Sequence, residues 1–339
     1  MRLLFPDAPL DDLSIEREAT GPGIELVHYR ETDPARVPAS AWAECDGIVC
    51  YHLMHLDAAA LARTRRCRII VRAGVGFDNV DLEAAAARGI AVCNTPDYGT
   101  TDVADHAIAM LLDLTRGVPR YAANLKRDPV GGWRWQDGAP NQRRLRGARF
   151  GVVGLGRIGV ATARRAAAFD MKVGFYDPHL PPGVELAHNF ERFDTLETLL
   201  AASDVVSLHT PLTPATRGLI DAAAVAAMKP GAILINTARG PVVDLDAVYD
   251  GLKSGRIGGA GLDVLPSEPP DPKHPLIAAY AADAPWLRDR LVLSPHSAFY
   301  CPESLYDLRY KTAETAAVFL LEGRLRACVN SELLPRHEP

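Results

Sequence analysis

The sequence predicts an α/β protein with two doubly wound parallel sheets. Short apolar runs alternate with Ala-rich helical stretches along most of the 339 residues, and such alternation is typical of parallel strands joined by helices. A chain of this length suits two domains of roughly 100–200 residues each. With 48% hydrophobic and 23% charged residues, the composition is globular and excludes a disordered or fibrous chain.

Charge and cysteine usage narrow the class of function. A formal net charge of −5 without a basic stripe disfavours nucleic acid and anionic membranes as partners. The N-terminus lacks the apolar run of a signal peptide, and no stretch of about 18 apolar residues is present to span a bilayer. The 6 cysteines lack the CxxC spacing of a zinc site, so we expect no metal and a reducing compartment. These features predict a cytoplasmic protein.

Three buried strands are predicted in the N-terminal part of the chain. They are GIVCYH, CRIIVRAG and GIAVCN, at residues 47–52, 67–74 and 89–94. The segments between them have helical composition, and the second ends at Gly89 in the manner of a helix C-cap. A long helix follows over residues 101–116, where a threonine can cap the first turn.

A second alternating series begins after a polar segment. Residues 128–147 are rich in Gly, Pro and Arg and are expected to form an exposed loop or arm. Residues 303–322 at the end of the chain are again helical. The chain therefore contains two units, one of which resumes after the other ends. The strands of the second series are RFGVVG, KVGFYD, DVVSLH, AILINT, GAGLDV and RLVLSP.

A glycine-rich turn follows the first strand of the second series and opens a helix. Gly154 permits the tight turn, Gly156 lets the backbone approach a pyrophosphate, and Gly159 lets the helix pack close to the strand. The helix N-terminus offers free N–H groups to the phosphates. This pattern predicts a Rossmann-like NAD-binding unit. Its predicted cofactor-binding residues are Gly154, Leu155, Gly156, Arg157, Ile158 and Gly159.

Asp177 favours a dinucleotide site over an ordinary turn without a ligand. It follows the next strand, about 20 residues beyond the glycines, where a carboxylate accepts hydrogen bonds from ribose hydroxyls. Its negative charge would repel the 2′-phosphate of NADP, and Pro178 and His179 after it provide no compensating arginine. The sequence therefore predicts NAD as the cofactor.

Three polar side chains, Arg239, Glu268 and His296, each follow a different strand of this sheet. The carboxyl ends of parallel strands share one edge, so the three can converge on one crevice. A guanidinium fits a carboxylate, a histidine can transfer a hydroxyl proton, and a carboxylate beside it stabilises the imidazolium. A surface arginine and a polar loop histidine are the alternatives when each is taken alone. Together they predict hydride-transfer chemistry on a 2-hydroxy acid.

The chain resembles the D-isomer-specific 2-hydroxyacid dehydrogenases. The matching motifs are RAGVGFDNVD, GLGRIG, NTARG, GLDV…EP and SPH, between about Cys67 and Asn330. Within the family, the pattern is most similar to C-terminal binding proteins and phosphoglycerate dehydrogenases. The resemblance implies a flavodoxin-like substrate domain of residues 1–98 with 299–339. It also implies an NAD-binding domain of residues 99–298, with a cleft between the two.

The resemblance further implies roles for single residues. Arg239 would bind the carboxylate and carbonyl of the substrate, His296 would be the acid–base, and Glu268 its partner. Asp263 would bind the nicotinamide carboxamide or, alternatively, brace its own loop. The other cofactor contacts would come from His209, Thr210, Pro211, Thr237 and Ala238, with Arg239 and His296. The other substrate contacts would come from Arg72, Val75, Gly76 and Phe299, although Arg72 could instead form a surface salt bridge.

Three further expectations follow from comparison with the family pattern. Phe299 stands where C-terminal binding proteins have a tryptophan, so we expect it to influence specificity. Pro269–Arg290 is longer than the usual connection and could cover the cleft or contact a partner subunit. The resemblance implies a homodimer formed through residues 101–147.

Two functions are compatible with the motifs. The first is NAD-dependent interconversion of a D-2-hydroxy acid and its 2-keto acid, with substrates of the hydroxypyruvate, glyoxylate or 3-phosphoglycerate type. The alternative is an NAD-sensing corepressor scaffold like the C-terminal binding proteins, with weak dehydrogenase activity. Oxidation of NADH in the presence of a panel of keto acids would separate them.

Overall fold

Residues 1–335 are described by a computed structural model and form two compact α/β units. Unit 1 contains residues 1–99 and the chain from Tyr300 onward, and unit 2 contains Thr100–Phe299. Both units are built on parallel sheets, which confirms the predicted fold class. Within residues 1–335, no helix combines the length and the apolar character needed to cross a membrane.

Unit 1 is built on a five-stranded parallel sheet. Its strands are β1 (Arg2–Phe5), β2 (Glu25–His28), β3 (Gly47–Cys50), β4 (Ile69–Arg72) and β5 (Ala91–Asn94). They pair in the order β2-β1-β3-β4-β5, which is the flavodoxin-like order. The sequence pattern predicted β3, β4 and β5 but missed the first two strands. β2 is a partly exposed edge strand that begins with a glutamate, so it has no apolar run. β1 lies at the start of the chain, before the alternation of strands and helices that indicated the other strands.

Short helices connect these strands. They are α1 (Ser14–Thr20), α2 (Ala39–Glu44), α3 (Ala58–Leu61) and α4 (Leu82–Ala86), with a single 3-10 turn at Pro34–Arg36. Asp57 and Asp81 cap two of them by accepting hydrogen bonds from backbone N–H groups in the first turn. Gly89 has a φ of 68°, in agreement with its predicted place after a helix.

Unit 2 is built on a seven-stranded parallel sheet. Its strands are β6 (Arg149–Val153), β7 (Lys172–Tyr176), β8 (Glu191–Arg192), β9 (Val205–Leu208), β10 (Ala232–Asn236), β11 (Ile257–Leu262) and β12 (Leu291–Leu293). They pair in the order β12-β11-β10-β9-β6-β7-β8. The order therefore reverses between β6 and β9, and ligands of such sheets bind beyond the carboxyl ends of the strands at this point.

Helices connect and flank the strands of the second sheet. They are α5 (Thr100–Arg116), α6 (Val118–Arg127), α7 (Arg157–Ala168), α8 (Val184–His188), α9 (Leu196–Ala202), α10 (Ala222–Ala227), α11 (Leu245–Ser254) and α12 (Pro275–Ala281), with a 3-10 turn at Gly240–Val242. The last helix, α13 (Pro302–Glu322), belongs to unit 1 and ends at Gly323, which has a φ of 73°.

The sequence AILIN shows why β10 lies at the centre of its sheet. Ile233 and Ile235 pack in one apolar cluster, and Ala232 and Leu234 pack in another. Because side chains alternate across a strand, the two clusters lie on opposite faces. A strand buried on both faces is what a continuous apolar run predicts.

Helix α5 lies close against β11 because that strand is rich in glycine. A Cβ atom on Gly261 would lie 2.9 Å from Cβ of Met110, which is closer than side chains normally approach. The apolar stripe of α5, which includes Leu111 and Leu114, is buried there. This contact brings His106, on the same helix, next to the carboxyl end of the sheet.

The two unusual segments of unit 2 adopt different structures. Residues 128–147 contain turns but no helix or strand, and the side chains of Trp133 and Trp135 are 79% and 80% exposed. Pro269–Arg290 instead contains α12 and packs on its own unit, where Leu287 is buried and the Trp286 ring meets the edge of Tyr249 at 5.7 Å.

Candidate active site

The predicted glycine turn connects β6 to α7. A Cβ atom on Gly159 would lie under 3.0 Å from the carbonyl oxygen of Gly154, so only glycine permits this approach of helix to turn. Gly154 has a φ of 87°. A Cβ atom on Gly156 would meet nothing within 4 Å, so the space beside it is open. Arg157 and Ile158 form the first helical turn, whose N–H groups can bind phosphate oxygens.

Asp177 directly follows β7 and contacts the glycine turn. Its Oδ2 accepts a hydrogen bond from the backbone N–H of Leu155 at 2.9 Å, and its Oδ1 accepts one from the N–H of His179 at 3.0 Å. A carboxylate has about four acceptor positions, so two remain for ribose hydroxyls. Arg192, on neighbouring β8, is bound by Glu185 at 2.9 Å and by nearby backbone carbonyls.

His209, Thr210 and Pro211 lie beyond β9, on the other side of the switch point. A Cβ atom on Gly154 would come within 2.9 Å of the carbonyl oxygen of His209, so this loop touches the glycine turn. Burial of its ring lowers the pKa of His209 to about 3, which keeps the imidazole neutral. Its Nε2 bonds to Oγ of Ser207 at 2.8 Å.

Several buried polar atoms around the turn have no partner among residues 1–335. They are Nδ1 of His209, Oγ1 of Thr210 and Oγ1 of Thr237. Buried polar groups are almost always hydrogen-bonded, so a group left open in a site is available to a ligand. Together with the open space at Gly156 and the spare acceptor positions of Asp177, these atoms fit a dinucleotide.

His296 and Glu268 form a direct pair. Nδ1 of His296 donates to Oε2 of Glu268 at 2.7 Å, and Oε1 of Glu268 accepts from the backbone N–H of Leu265 at 3.0 Å. The carboxylate therefore fixes the orientation of the imidazole, with Nδ1 towards Glu268 and Nε2 on the opposite side of the ring.

The backbone of His296 has a φ of 52°, which a side chain of this size rarely adopts. Asp263 holds the turn in this conformation. Its carboxylate accepts hydrogen bonds from the N–H of Ser297 at 2.8 Å and of Ala298 at 3.1 Å, while its backbone oxygen accepts from the N–H of His296 at 2.8 Å. Of the two predicted alternatives for Asp263, the geometry directly displays the loop brace.

A histidine that the sequence analysis did not select completes this network. Oγ of Ser294 donates to Asp263 at 2.6 Å, so Nε2 of His106 must be the donor in its 2.9 Å bond with Ser294. Asp263 is only 2% exposed. Three polar side chains therefore fix the turn that carries His296. They are Asp263 after β11, Ser294 after β12 and His106 on α5.

Arg239 follows β10 and is positioned by the buried side chain of Asn236. The amide of Asn236 accepts from the N–H of Ala238 at 3.0 Å and donates to the carbonyl of Arg239 at 2.9 Å. Gly240 packs against the backbone of Leu265, closer than any Cβ atom would allow. Because Leu265 also binds Glu268, the arginine and the His–Glu pair are held through one backbone contact.

The other predicted substrate residues are divided between the units. Phe299 belongs to unit 2, and its ring meets the His296 ring edge-on at a centroid distance of 6.4 Å. Arg72 belongs to unit 1, is 6% exposed, and donates to the carbonyl of Ala73 at 2.7 Å. Val75 and Gly76 follow in a loop that Asn94 holds by a 2.6 Å bond to the carbonyl of Val75.

Comparison with known proteins identifies the chemistry of this arrangement. Residues 108–298 match the model of the NAD binding domain of D-isomer specific 2-hydroxyacid dehydrogenases. The chain belongs to this family. It is an NAD-dependent oxidoreductase that interconverts a D-2-hydroxy acid and its 2-keto acid.

Two curated relatives lie within the same family. A glyoxylate reductase of Thermofilum pendens is 38% identical over 295 residues, which cover 85% of this chain and 82% of that protein. A D-3-phosphoglycerate dehydrogenase of Mycobacterium bovis is 41% identical over 230 residues, which cover 68% of this chain and 42% of that protein. The dehydrogenase thus spans less than half of the second, longer relative.

Solved structures show the same fold. The D-lactate dehydrogenase of Aquifex aeolicus, complexed with NAD and lactic acid, matches with a TM-score of 0.80 and 30% identity over 94% of this chain and 95% of that chain. The NADPH-dependent glyoxylate/hydroxypyruvate reductase of Sinorhizobium meliloti, in complex with NADP and malonate, matches with a TM-score of 0.84 and 30% identity. The match covers 100% of this chain and 99% of that chain.

Proposed function

We propose that this dehydrogenase acts on small anionic acids of the hydroxypyruvate and glyoxylate type, with 3-phosphoglycerate-type acids as the larger candidates. The observation that carries the proposal is the His296–Glu268 pair at 2.7 Å, with Phe299 edge-on to the same imidazole. The phenyl ring restricts the space beside the acid–base, which favours a short substrate. The names of the relatives include a glyoxylate reductase and a glyoxylate/hydroxypyruvate reductase, which supports the same class.

His296 moves the proton in the proposed mechanism. When bound, NADH supplies a hydride to C2 of the keto acid. Protonated His296 gives the proton on Nε2 to the carbonyl oxygen, and Glu268 stabilises the imidazolium at Nδ1. In the oxidising direction, Nε2 of the neutral imidazole accepts the proton of the substrate hydroxyl group.

Arg239 binds and polarises the substrate in this proposal. Its guanidinium fork fits a carboxylate with two parallel hydrogen bonds and can also reach the adjacent carbonyl oxygen. The hydrogen bond of Asn236 and the close contact of Gly240 limit the backbone freedom of Arg239. Little further ordering of this residue is therefore needed when the substrate binds.

The remaining roles are proposals from the family pattern. The glycine turn, Asp177, the loop of His209, Thr210 and Pro211, and Thr237 and Ala238 would hold NAD, with the open polar atoms described above in support. Asp263 would add one bond to the carboxamide. Arg72, Val75 and Gly76 would contribute to substrate binding, and the anchoring of their loop by Asn94 supports a fixed conformation there.

A homodimer formed through residues 101–147 is also proposed. Helix α6 has no buried residue, although apolar and charged side chains occupy different faces of it. Val118, Val130, Trp133 and Trp135 in the same region are highly exposed, and apolar exposure of this kind marks association surfaces. Sedimentation of the wild type and of a Trp133→Ser/Trp135→Ser variant tests this: a wild-type monomer contradicts the proposal.

Replacing Arg239 tests the proposed function. Arg239→Ala should remove about 2–4 kcal/mol of transition-state stabilisation, or roughly 30- to 1,000-fold in kcat/KM. NADH oxidation is measured with glyoxylate, hydroxypyruvate, pyruvate, phenylpyruvate and 3-phosphohydroxypyruvate. Arg288→Ala, which removes a surface arginine paired with Asp283, is the matched control and should leave kcat/KM unchanged.

Three results would contradict the proposal. Unchanged kcat/KM of Arg239→Ala on every keto acid would remove Arg239 from the mechanism. Wild-type turnover confined to phenylpyruvate would exclude the short substrates, and turnover of none of the five acids would favour the corepressor scaffold.

A further inference from the structure

Cys93 and Cys328 face each other across two paired segments of unit 1. Cys93 lies in β5, and Cys328 lies in the segment that follows α13, which pairs with β5 in antiparallel orientation. The flanking bonds run from the N–H of Asn94 to the carbonyl of Ala327 at 3.2 Å and from the N–H of Val329 to the carbonyl of Val92 at 2.8 Å. No backbone bond joins the two cysteines themselves, so they occupy a non-hydrogen-bonded position.

A directly opposite, non-hydrogen-bonded position of this kind is compatible with a disulfide. Directly opposite residues in a non-hydrogen-bonded pair have Cα atoms about 4.5 Å apart and side chains on the same face. Disulfides span Cα distances of about 4.4–6.8 Å. The proximity of the two thiols raises the pKa of Cys93 and lowers that of Cys328. Sγ of Cys328 also donates a hydrogen bond to Oδ1 of Asn330 at 3.4 Å. The thiolate thus forms more readily on Cys328 than on Cys93.

We propose that Cys93 and Cys328 form a reversible intramolecular disulfide that fastens the C-terminal segment to β5. Cys93 is 0% exposed, whereas Cys328 is partly exposed. Cys328 is therefore the sulfur that an oxidant reaches first, and Cys93 is the sulfur that resolves the product.

The oxidant in this proposal is the disulfide of a small thiol. The Cys328 thiolate attacks one sulfur of that disulfide, forms a mixed disulfide, and releases one small thiolate. Cys93 then loses its proton and attacks Sγ of Cys328, which releases the second small thiol. Overall, the two protein thiols lose two electrons and two protons, and the small disulfide is reduced to two thiols.

The disulfide would add a covalent bond to an existing noncovalent connection. Asn330 already binds the N–H of Val92 at 2.8 Å and the carbonyl of Ile90 at 3.0 Å through its side chain. The disulfide would close a loop that contains all of unit 2, and cross-links that close long loops restrict the unfolded chain most strongly. Oxidation should therefore raise thermal stability.

A second pair of neighbouring thiols provides an internal comparison. Cys45 lies near enough to Cys67 to raise the pKa of the Cys67 thiol, but both residues are buried, at 0% and 8% exposure. Each thiol donates to a backbone carbonyl, Cys45 to Trp42 at 3.2 Å and Cys67 to Ile69 at 3.4 Å. They lie outside the strands, at the end of α2 and before β4. An oxidant from solvent has no exposed sulfur to attack in that pair, so it should remain reduced in the folded protein.

The test is equilibration of the full-length protein with mixtures of reduced and oxidised glutathione. In excess oxidised glutathione, wild type should lose two of its 6 titratable thiols, and peptide mapping should find Cys93 joined to Cys328. The midpoint of thermal unfolding should rise by about 5 °C or more and return on reduction. Cys328→Ser should abolish both changes, whereas Cys45→Ser should retain them.

Four outcomes would overturn the proposal. They are a Cys45–Cys67 cross-link, a stable glutathione adduct on Cys328, a disulfide between two chains, and retention of all thiols in the wild type. Because the peptide map is made on wild-type protein, the result does not depend on how well any variant folds.

Discussion

Unit 2 contains two turns at the carboxyl edge of one sheet that are built in opposite ways. The turn after β6 depends on residues without side chains, because Gly154 and Gly159 allow backbone segments to lie directly against each other. The turn after β12 is formed by side chains, because Asp263, Ser294 and His106 hold His296 in a backbone conformation that it would not choose alone.

The contrast agrees with the role that we propose for each turn. A pyrophosphate is bound by backbone N–H groups, so the first turn needs space and close approach. Proton transfer depends on where one ring nitrogen lies, so the second turn needs rigidity. Substitutions should therefore affect binding in the first turn and the chemical step in the second.

The largest effect is expected at Asp263. Asp263→Ala removes three hydrogen bonds from the His296 turn and should lower the free energy of unfolding by about 3 kcal/mol. Because the imidazole is then misplaced, kcat should fall about 100-fold. Steady-state kinetics and urea unfolding measure the two effects.

Ser294→Ala is the matched control, since it removes only one of the three bonds to the same carboxylate. It should produce a smaller loss of both quantities. If Asp263→Ala kept its full kcat and merely bound NADH less tightly, the brace would not control the acid–base.

A smaller effect is expected in the glycine turn. Gly159→Ala places a Cβ atom against the carbonyl of Gly154, which should cost about 1–3 kcal/mol of stability and weaken NADH binding about tenfold or more. Thermal unfolding and NADH fluorescence titration report the two quantities.

Gly156→Ala sharpens this test because its Cβ atom enters open space. It should leave thermal stability nearly unchanged while weakening NADH binding, since the new methyl group occupies the predicted position of the pyrophosphate. Equal NADH affinity in Gly156→Ala and wild type would show that the cofactor does not approach this residue.

The smallest effect is a pH dependence carried by His209, beside the glycine turn. Its pKa is lowered to about 3 in the folded protein by burial, while an unfolded histidine titrates near 6.5. Below pH 6.5 the unfolded chain binds a proton that the folded protein does not, so protonation favours unfolding. The free energy of unfolding is therefore highest above pH 6.5 and decreases as the pH falls below that value. The slope should be about 1 kcal/mol per pH unit between pH 6 and 4.

His209→Gln should remove this part of the pH dependence. Urea unfolding of both proteins at pH 7, 6 and 5 measures it. His188→Gln provides the control, because His188 is a partly exposed histidine of the same unit. Parallel curves for wild type and His209→Gln would mean that the buried ring titrates normally.

The same contrast explains what the sequence could predict. The glycine turn, Asp177 and the three strand-end residues are visible in the sequence, because each depends on a local motif or on its position after an apolar strand. The brace was not visible, since His106 and Ser294 lie 188 residues apart and meet only after β12 and α5 have packed.

Local sequence patterns also failed to predict several other features of the structure, for related reasons. Asn236, which positions Arg239, is a single polar residue at the end of an apolar strand, which has no periodicity to detect. The positive φ of His296 is imposed by distant hydrogen bonds, whereas the sequence around it gives no glycine or asparagine as a signal. Strand β2 is partly exposed and has no apolar run, and β1 precedes the alternation of strands and helices that indicated β3, β4 and β5.

The contact between Gly240 and Leu265 has a consequence for how this site can vary. Because Gly240 has a hydrogen atom where other residues have a Cβ atom, the loop of Arg239 can lie directly against the loop of Glu268. Any larger residue at Gly240 would separate Arg239, the proposed substrate-binding group, from Glu268, the proposed partner of the acid–base. If these roles are correct, substrate range should vary more easily through Phe299, whose ring borders the imidazole of His296 without separating the two loops.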